Sequence, residues 1–137
     1  MAPSNVKSTA PVTVYEPIEG WPLLPHPMRF IEATSVAVDL NDRVYVFNRG
    51  PDPMMVFERD GTFVESWGSG QYVRPHGVFV MPDGNLLVVD DMNHVVNMTT
   101  TSGEVLMTLG TPGKPSEWQA GGIFNQPTDA WLSPTSG

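Results

Sequence analysis

Short apolar runs separated by turn residues follow one another along the chain from about residue 34 to residue 110. Runs of this length with glycine, asparagine or aspartate between them are typical of antiparallel strands joined by tight turns. Asp60-Gly61 and Ser102-Gly103 supply the positive-φ positions that such turns need. The pattern predicts an all-β chain with strands at residues 35–39, 44–49, 54–59, 62–67, 77–81, 86–90, 95–100 and 104–109.

The strands repeat in groups of four, because the segment that starts at Thr34 matches the segment that starts at His76 without a gap. Residues 44–47 lie over residues 86–89 at this offset of 42, and apolar positions match apolar positions. A unit of about 42 residues with four antiparallel strands has the dimensions of a β-propeller blade. A β-sandwich would explain the strands but leaves the repeat unexplained.

The repeat divides the chain into blades and flanking segments, and a third copy opens at Gln126 after about ten inserted residues. Residues 12–21 resemble the outer strand at 63–68, so they are a candidate closing strand for the last blade. The predicted organisation is a disordered leader (1–11), an N-terminal strand and irregular segment (12–32), blade 1 (33–72), blade 2 with an inserted loop (73–124) and the truncated first strand of blade 3 (125–137). About two and a half blades cannot close a ring, which predicts either a fragment of a longer propeller or self-association through open blade edges.

Composition narrows the function classes. Seven Lys and Arg against fifteen Asp and Glu give the 137-residue chain a net charge of −8, which argues against a nucleic acid partner. The absence of cysteine excludes disulfides, thiolate-held zinc and a thiol nucleophile. The sequence shows no signal peptide and no apolar run that could span a membrane, so no membrane partner is expected and the compartment stays open.

The second repeat carries a family resemblance. Residues 87–96, followed by Ser102-Gly103-Glu104-Val105, resemble the NHL repeat, a motif that forms β-propellers. A wider set of segments resembles, in order, the first half of peptidylglycine α-amidating lyase, which is a six-bladed propeller. These segments are Val36 to Asp39, Val46 to Gly50, Arg74 to Val78, Asp90 with His94, and Asn125 to Asp129.

The lyase resemblance implies zinc and calcium as cofactors. The first of three zinc-binding histidines matches His76, the backbone carbonyl groups of Val36 and Val78 match calcium ligands, and Arg49 matches an arginine that contacts the substrate. In the family, zinc binds the hydroxyl group of a peptide with C-terminal hydroxyglycine, and C–N cleavage releases peptide amide and glyoxylate. The other two histidines and the proposed base would follow Gly137, so this chain alone is expected to be inactive.

Each candidate residue also has a structural interpretation. His76 can fix a Pro-His-Gly turn, and Arg49 can be a surface arginine after a strand. Asp90 and Asp91 can be read as a metal pair, but neighbours in a strand point to opposite faces, so Asp90 is expected to bond to backbone in the next turn. His94 is expected to be structural.

The alternative function is therefore a non-catalytic NHL propeller that binds a protein or carbohydrate partner. An RNA-binding propeller is a third alternative, which the few basic residues disfavour. Trp67 and Trp131 occupy apolar positions of the repeat, so we expect both to pack between blades.

Overall fold

The computed structural model describes residues 12–117 and 122–133 and is all-β over these residues. No helix that could cross a membrane is found in them. The eight strands are β1 (Ala33–Val38), β2 (Val44–Asn48), β3 (Met54–Phe57), β4 (Phe63–Trp67), β5 (Pro75–Val80), β6 (Leu86–Asp90), β7 (Val95–Thr99) and β8 (Val105–Gly110). The prediction of an all-β fold is confirmed.

The strands form two four-stranded antiparallel sheets, in the order β1-β2-β3-β4 (blade 1) and β5-β6-β7-β8 (blade 2). The two sheets share one register: Val36 lies opposite Val46 in blade 1, and Val78 lies opposite Val88 in blade 2. The pair in blade 2 follows the pair in blade 1 by the 42 residues of the sequence repeat. The repeat is therefore a repeat of structure.

The blades stack face to face near their first strands and diverge outward. Strand β5 packs against β1 and β2, whereas β4 and β8 do not approach each other. Apolar side chains from facing sheets fill the space between the blades, which is the arrangement of a partial propeller. The buried residues of this core are Tyr45, Phe47, Met54 and Val56 from blade 1 and Val78, Leu86 and Val88 from blade 2.

A tryptophan joins the outer part of blade 1 to blade 2. The indole N–H of Trp67, the last residue of β4, donates to the carbonyl oxygen of Thr101 at 3.0 Å. The ring covers Gly103, whose φ of +90° favours glycine and whose Cβ, if present, would lie 2.6 Å from the ring. Trp67 thus packs between the blades, as expected from the repeat.

Trp21 makes the same contact one blade earlier. Its indole N–H donates to the carbonyl oxygen of Arg59 at 3.1 Å, and its ring covers Gly61. The predicted strand over residues 12–21 is nevertheless not formed: residues 12–18 have no regular structure and pair with none of the described strands. Only the position of Trp21 agrees with the prediction, because Trp21 covers Gly61 as Trp67 of the outer strand β4 covers Gly103.

The C-terminal part also differs from the prediction. Residues 125–133 contain no strand, and they cover the outer face of blade 2, where no further sheet is present to pair with them. Trp131 is 77% exposed, so the expectation that it packs between blades is wrong. The remaining predicted parts of the leader and of the third blade, residues 1–11 and 134–137, lie outside the described residues.

The glycine beneath Trp67 yields a stability prediction. We expect Gly103→Ala to lower the free energy of unfolding by about 1 kcal/mol from the positive φ and by roughly 1–3 kcal/mol more from the clash with the indole ring. Urea denaturation of the purified chain measures the sum. Gly84→Ala is the matched control, because Gly84 has a φ of +88° and no atom within 4 Å of an added Cβ. Equal losses in the two variants would contradict the packing of Trp67 on this turn.

A buried hydroxyl group in β7 yields a second prediction. Among the described residues, the Thr99 hydroxyl oxygen is the buried side-chain polar atom without a hydrogen-bond partner, and Thr99 is fully buried. Thr99→Val should raise the free energy of unfolding by about 1 kcal/mol, because it replaces an unpaired hydroxyl by a methyl group. Thr108→Val is the control and should not stabilise, because the Thr108 hydroxyl donates to Asn97 at 2.8 Å. A loss of stability in Thr99→Val, measured by urea denaturation, would contradict this assignment.

Candidate functional site

The candidate site lies at the end of the sheets where β1 and β5 begin and where β2 and β6 end. Arg49 directly follows β2, and Pro75 and His76 open β5. The Nε of Arg49 donates to the carbonyl oxygen of Pro75 at 3.1 Å. The stacking of the blades thus brings Arg49 to the residue that precedes His76.

Arg49 is also tied to the segment before β1. Its Nη1 lies 2.7 Å from Oε2 of Glu32, and its backbone N–H donates to the Glu32 carbonyl oxygen at 2.9 Å. The side-chain oxygen of Asn48 accepts the backbone N–H groups of Ile31 and Glu32 at 2.9 and 3.1 Å. The buried Asn48 therefore fixes the backbone that carries Glu32.

Asp90 performs the same task in blade 2. Its carboxylate accepts the N–H groups of Val73 and Arg74 at 2.8 and 2.9 Å, and that of Asn93 at 3.2 Å. The expectation that Asp90 bonds to backbone is confirmed. Asp91 does not join it in a pair of metal ligands, because Asp91 is bonded to Arg74.

The Arg74 to Asp91 contact is a two-point ion pair in which the carboxylate is buried and the arginine side chain is 41% exposed. Nε of Arg74 donates to both carboxylate oxygens at 2.7 and 3.0 Å, and Nη2 donates to Oδ2. Asp91 is only 2% exposed. The hydrogen bonds from Arg74, with a smaller contribution from the charge of His76, hold the pKa of Asp91 below its usual value. Asp91 in turn raises the pKa of Arg74.

The two ion pairs occupy the same repeat positions with their charges exchanged. Glu32 corresponds to Arg74, and Arg49 corresponds to Asp91, at the offset of 42 residues. Sequence reasoning did not identify Glu32 or the Arg74 to Asp91 pair. The signal was present in the alignment of the repeats, where both positions change sign together.

A pocket of about 220 Å³ lies between the blades at this end. The ring of Tyr72 packs edge-on against Phe47 with 5.0 Å between centroids, and burial, together with the nearby Asp90, raises the pKa of the Tyr72 hydroxyl. Two arginines are among the residues that line this pocket, which we call the junction pocket, so its chemistry suits a small anion. Its lining residues are Arg49, Gly50, Pro53, Gly70, Tyr72, Val73, Arg74 and Pro75.

The residues matched to metal ligands do not form a metal site by themselves. Residues 12–117 and 122–133 contain no group of three or more metal-binding side chains. His76 is half-buried beside Asp91, and the other candidate imidazole, His94, accepts the backbone N–H of Gln126 at 3.1 Å, which confirms its structural role. The other two zinc-binding histidines that the lyase resemblance implies would follow Gly137, so the zinc-binding role of His76 stays a prediction.

Val36 and Val78, the positions matched to calcium ligands, lie at equivalent places in the first strands of the two blades. The backbone N–H of Val78 donates to the hydroxyl oxygen of Ser35 at 3.1 Å, which links the two strands. The Val78 side chain is buried between the blades, and the Val36 side chain is 60% exposed on the opposite face of blade 1. Val36 and Val78 thus occupy the same position in the first strand of their blades, as the 42-residue repeat predicts.

A larger groove of about 630 Å³ lies on the outer face of blade 2, beneath Trp131. It is bordered by Leu87, Val96 and Met98, the repeat equivalents of Tyr45, Met54 and Val56. Those three residues of blade 1 pack against blade 2. The groove therefore corresponds to the face that packs against the next blade in blade 1. The candidate site remains the junction pocket between the two blades.

Comparison with known proteins agrees with the fold. No family model matches the sequence. NHL repeat-containing protein 3 from Homo sapiens is 32% identical over an alignment of 127 positions that covers 85% of this chain and 36% of that relative. The protein of the same name from Mus musculus is 33% identical over 127 residues with the same coverage, so the chain spans about a third of the length of these curated relatives. Together with the 42-residue repeat and the two stacked sheets, these relatives support an NHL-repeat family for this chain.

Proposed function

We propose that this chain is part of an NHL propeller that serves as a non-catalytic binding scaffold, and that its partner is a peptide that presents a carboxylate group to the junction pocket. The observation that carries the proposal is the pocket between the blades, whose lining residues include Arg49 and Arg74. Arginine is well suited to carboxylates because its planar fork can donate two parallel hydrogen bonds.

The distribution of charge supports this site. The chain has a net charge of −8, yet two of its seven Lys and Arg residues border one small pocket. Arg43 and Arg59 are paired with Glu58 and Asp42, and the two arginines of the pocket are paired with Glu32 and Asp91. Two arginines close together on an acidic protein favour an anionic ligand at that place once one of these carboxylates is displaced.

The second candidate function is a zinc-dependent lyase that acts on peptidyl-α-hydroxyglycine. The hydrogen bond from Arg49 to Pro75 favours it, because this contact brings the matched substrate arginine next to His76. His76 would then supply one zinc ligand and the carbonyl groups of Val36 and Val78 would hold calcium. The remaining zinc ligands and the base would have to come from polypeptide outside the described residues.

Two observations favour the scaffold over the lyase. His94, the second imidazole at this end, is bonded to the backbone of Gln126, and the described residues hold no group of three metal-binding side chains. The ion pair of Arg49 also has an equivalent in blade 2 with the charges exchanged, so the repeat alone accounts for an ion pair at these two positions. The relatives are named for their repeats, and their names give no activity.

Metal content and product release, measured on a complete propeller that contains this chain, distinguish the two functions. For the scaffold, the purified protein should contain no stoichiometric zinc and should release no glyoxylate from an α-hydroxyglycine peptide after zinc is added. His76→Ala should behave like the control His26→Ala, whose histidine is exposed in the segment before β1. Stoichiometric zinc that is lost in His76→Ala but kept in His26→Ala, together with glyoxylate release, would overturn the scaffold in favour of the lyase.

A further inference from the structure

We propose that Glu32 is an exchangeable internal counter-ion, which occupies Arg49 in the free protein and is displaced by the carboxylate of a bound ligand. This inference rests on the proposed binding of a carboxylate at the junction pocket. It assigns to Glu32 the role of a residue that sets the affinity and to Arg49 the role of the group that contacts the ligand.

The guanidinium of Arg49 keeps its position without Glu32. Its Nε is bonded to the carbonyl oxygen of Pro75 in the neighbouring blade at 3.1 Å. This bond uses one of the five N–H donors and leaves the others for an anion. A ligand therefore meets a positioned arginine after Glu32 has moved away.

The contact between Glu32 and Arg49 is weak enough for a ligand carboxylate to replace Glu32. It consists of one short N–O contact, and the Glu32 side chain is 61% exposed. Ion pairs with an exposed partner contribute little to stability, so a ligand carboxylate with equal or better geometry can replace Glu32.

The equivalent ion pair in blade 2 has a buried carboxylate where that of blade 1 has an exposed one. The Asp91 side chain is 2% exposed, and its carboxylate is bonded by both Nε and Nη2 of Arg74. Separating this pair would leave the buried Asp91 carboxylate without its counter-charge, which costs more than separating two exposed groups. Of the two arginines at the pocket, Arg49 is therefore the one whose partner can leave.

Displacement of the Glu32 carboxylate does not disturb the fold. The backbone of Glu32 stays fixed, because its N–H donates to Asn48 and its carbonyl oxygen accepts the N–H of Arg49. Only side-chain torsions have to change when the ligand binds.

The test is a titration of the full chain with acetate and with glyoxylate, followed by the NMR signal of the Arg49 Nε–H group. Glu32→Gln should bind both carboxylates roughly threefold more tightly than the wild type, which is the value expected when an exposed competing ion pair is removed. Arg49→Gln should abolish binding. Thermal unfolding by circular dichroism confirms that each variant is folded.

Asp42→Asn is the matched control, because it also removes one negative charge from an exposed ion pair, that with Arg59. Its affinity should equal that of the wild type. The counter-ion proposal is overturned if Glu32→Gln binds like the wild type while Arg49→Gln does not bind, a result that leaves the carboxylate site itself intact. It is also overturned if Asp42→Asn gains as much as Glu32→Gln. Absence of binding in both the wild type and Glu32→Gln would reject the proposed carboxylate site and the counter-ion with it.

Discussion

The apolar contact between the two blades is the constraint on which the structure depends. Side chains alternate between the two faces of a strand, and the strands of blade 1 are apolar on both faces, so a single sheet would leave one apolar surface in water. Phe47 and Val56 are buried because blade 2 covers them with Val78 and Val88. Blades of this kind gain stability from their neighbours more than from their own sheet.

The geometry of the candidate site follows from this stacking. Once β1 and β5 are neighbours, the end of β2 lies against the start of β5, and Arg49 reaches the carbonyl oxygen of Pro75. The buried polar residues Asn48 and Asp90 then hold the segments that carry Glu32 and Arg74. One repeated backbone arrangement thus supports an exposed ion pair in blade 1 and a buried ion pair in blade 2.

The sequence was sufficient for the strands and their grouping, because strands buried on both faces leave short apolar runs between turn residues and the repeat leaves a period of 42 residues. It was also sufficient for Asp90, whose place at the end of a strand favours bonding to backbone. It was not sufficient for residues 12–21, whose apolar pattern resembles a strand but which have no strand to pair with. Trp131 was misjudged for a related reason, since an apolar position is buried only where a neighbouring sheet covers it.

The partners of the charged residues could not be predicted in the same way. Glu32 and Arg49 are 17 residues apart, and their contact depends on the turn that Asn48 fixes. The bond from Arg49 to Pro75 depends on the stacking of two sheets. A comparison of charges between the repeats would have indicated the two ion pairs, because residues 32 and 49 carry the opposite charges of residues 74 and 91.

Proton–proton distances measured by NMR test the stacking of the two repeats most directly. The account predicts nuclear Overhauser contacts between the Trp67 indole and the α-protons of Gly103, and ring-current shifts of those α-protons. A folded protein whose two sheets are intact but whose Trp67 shows no contact with the turn of blade 2 would contradict the account.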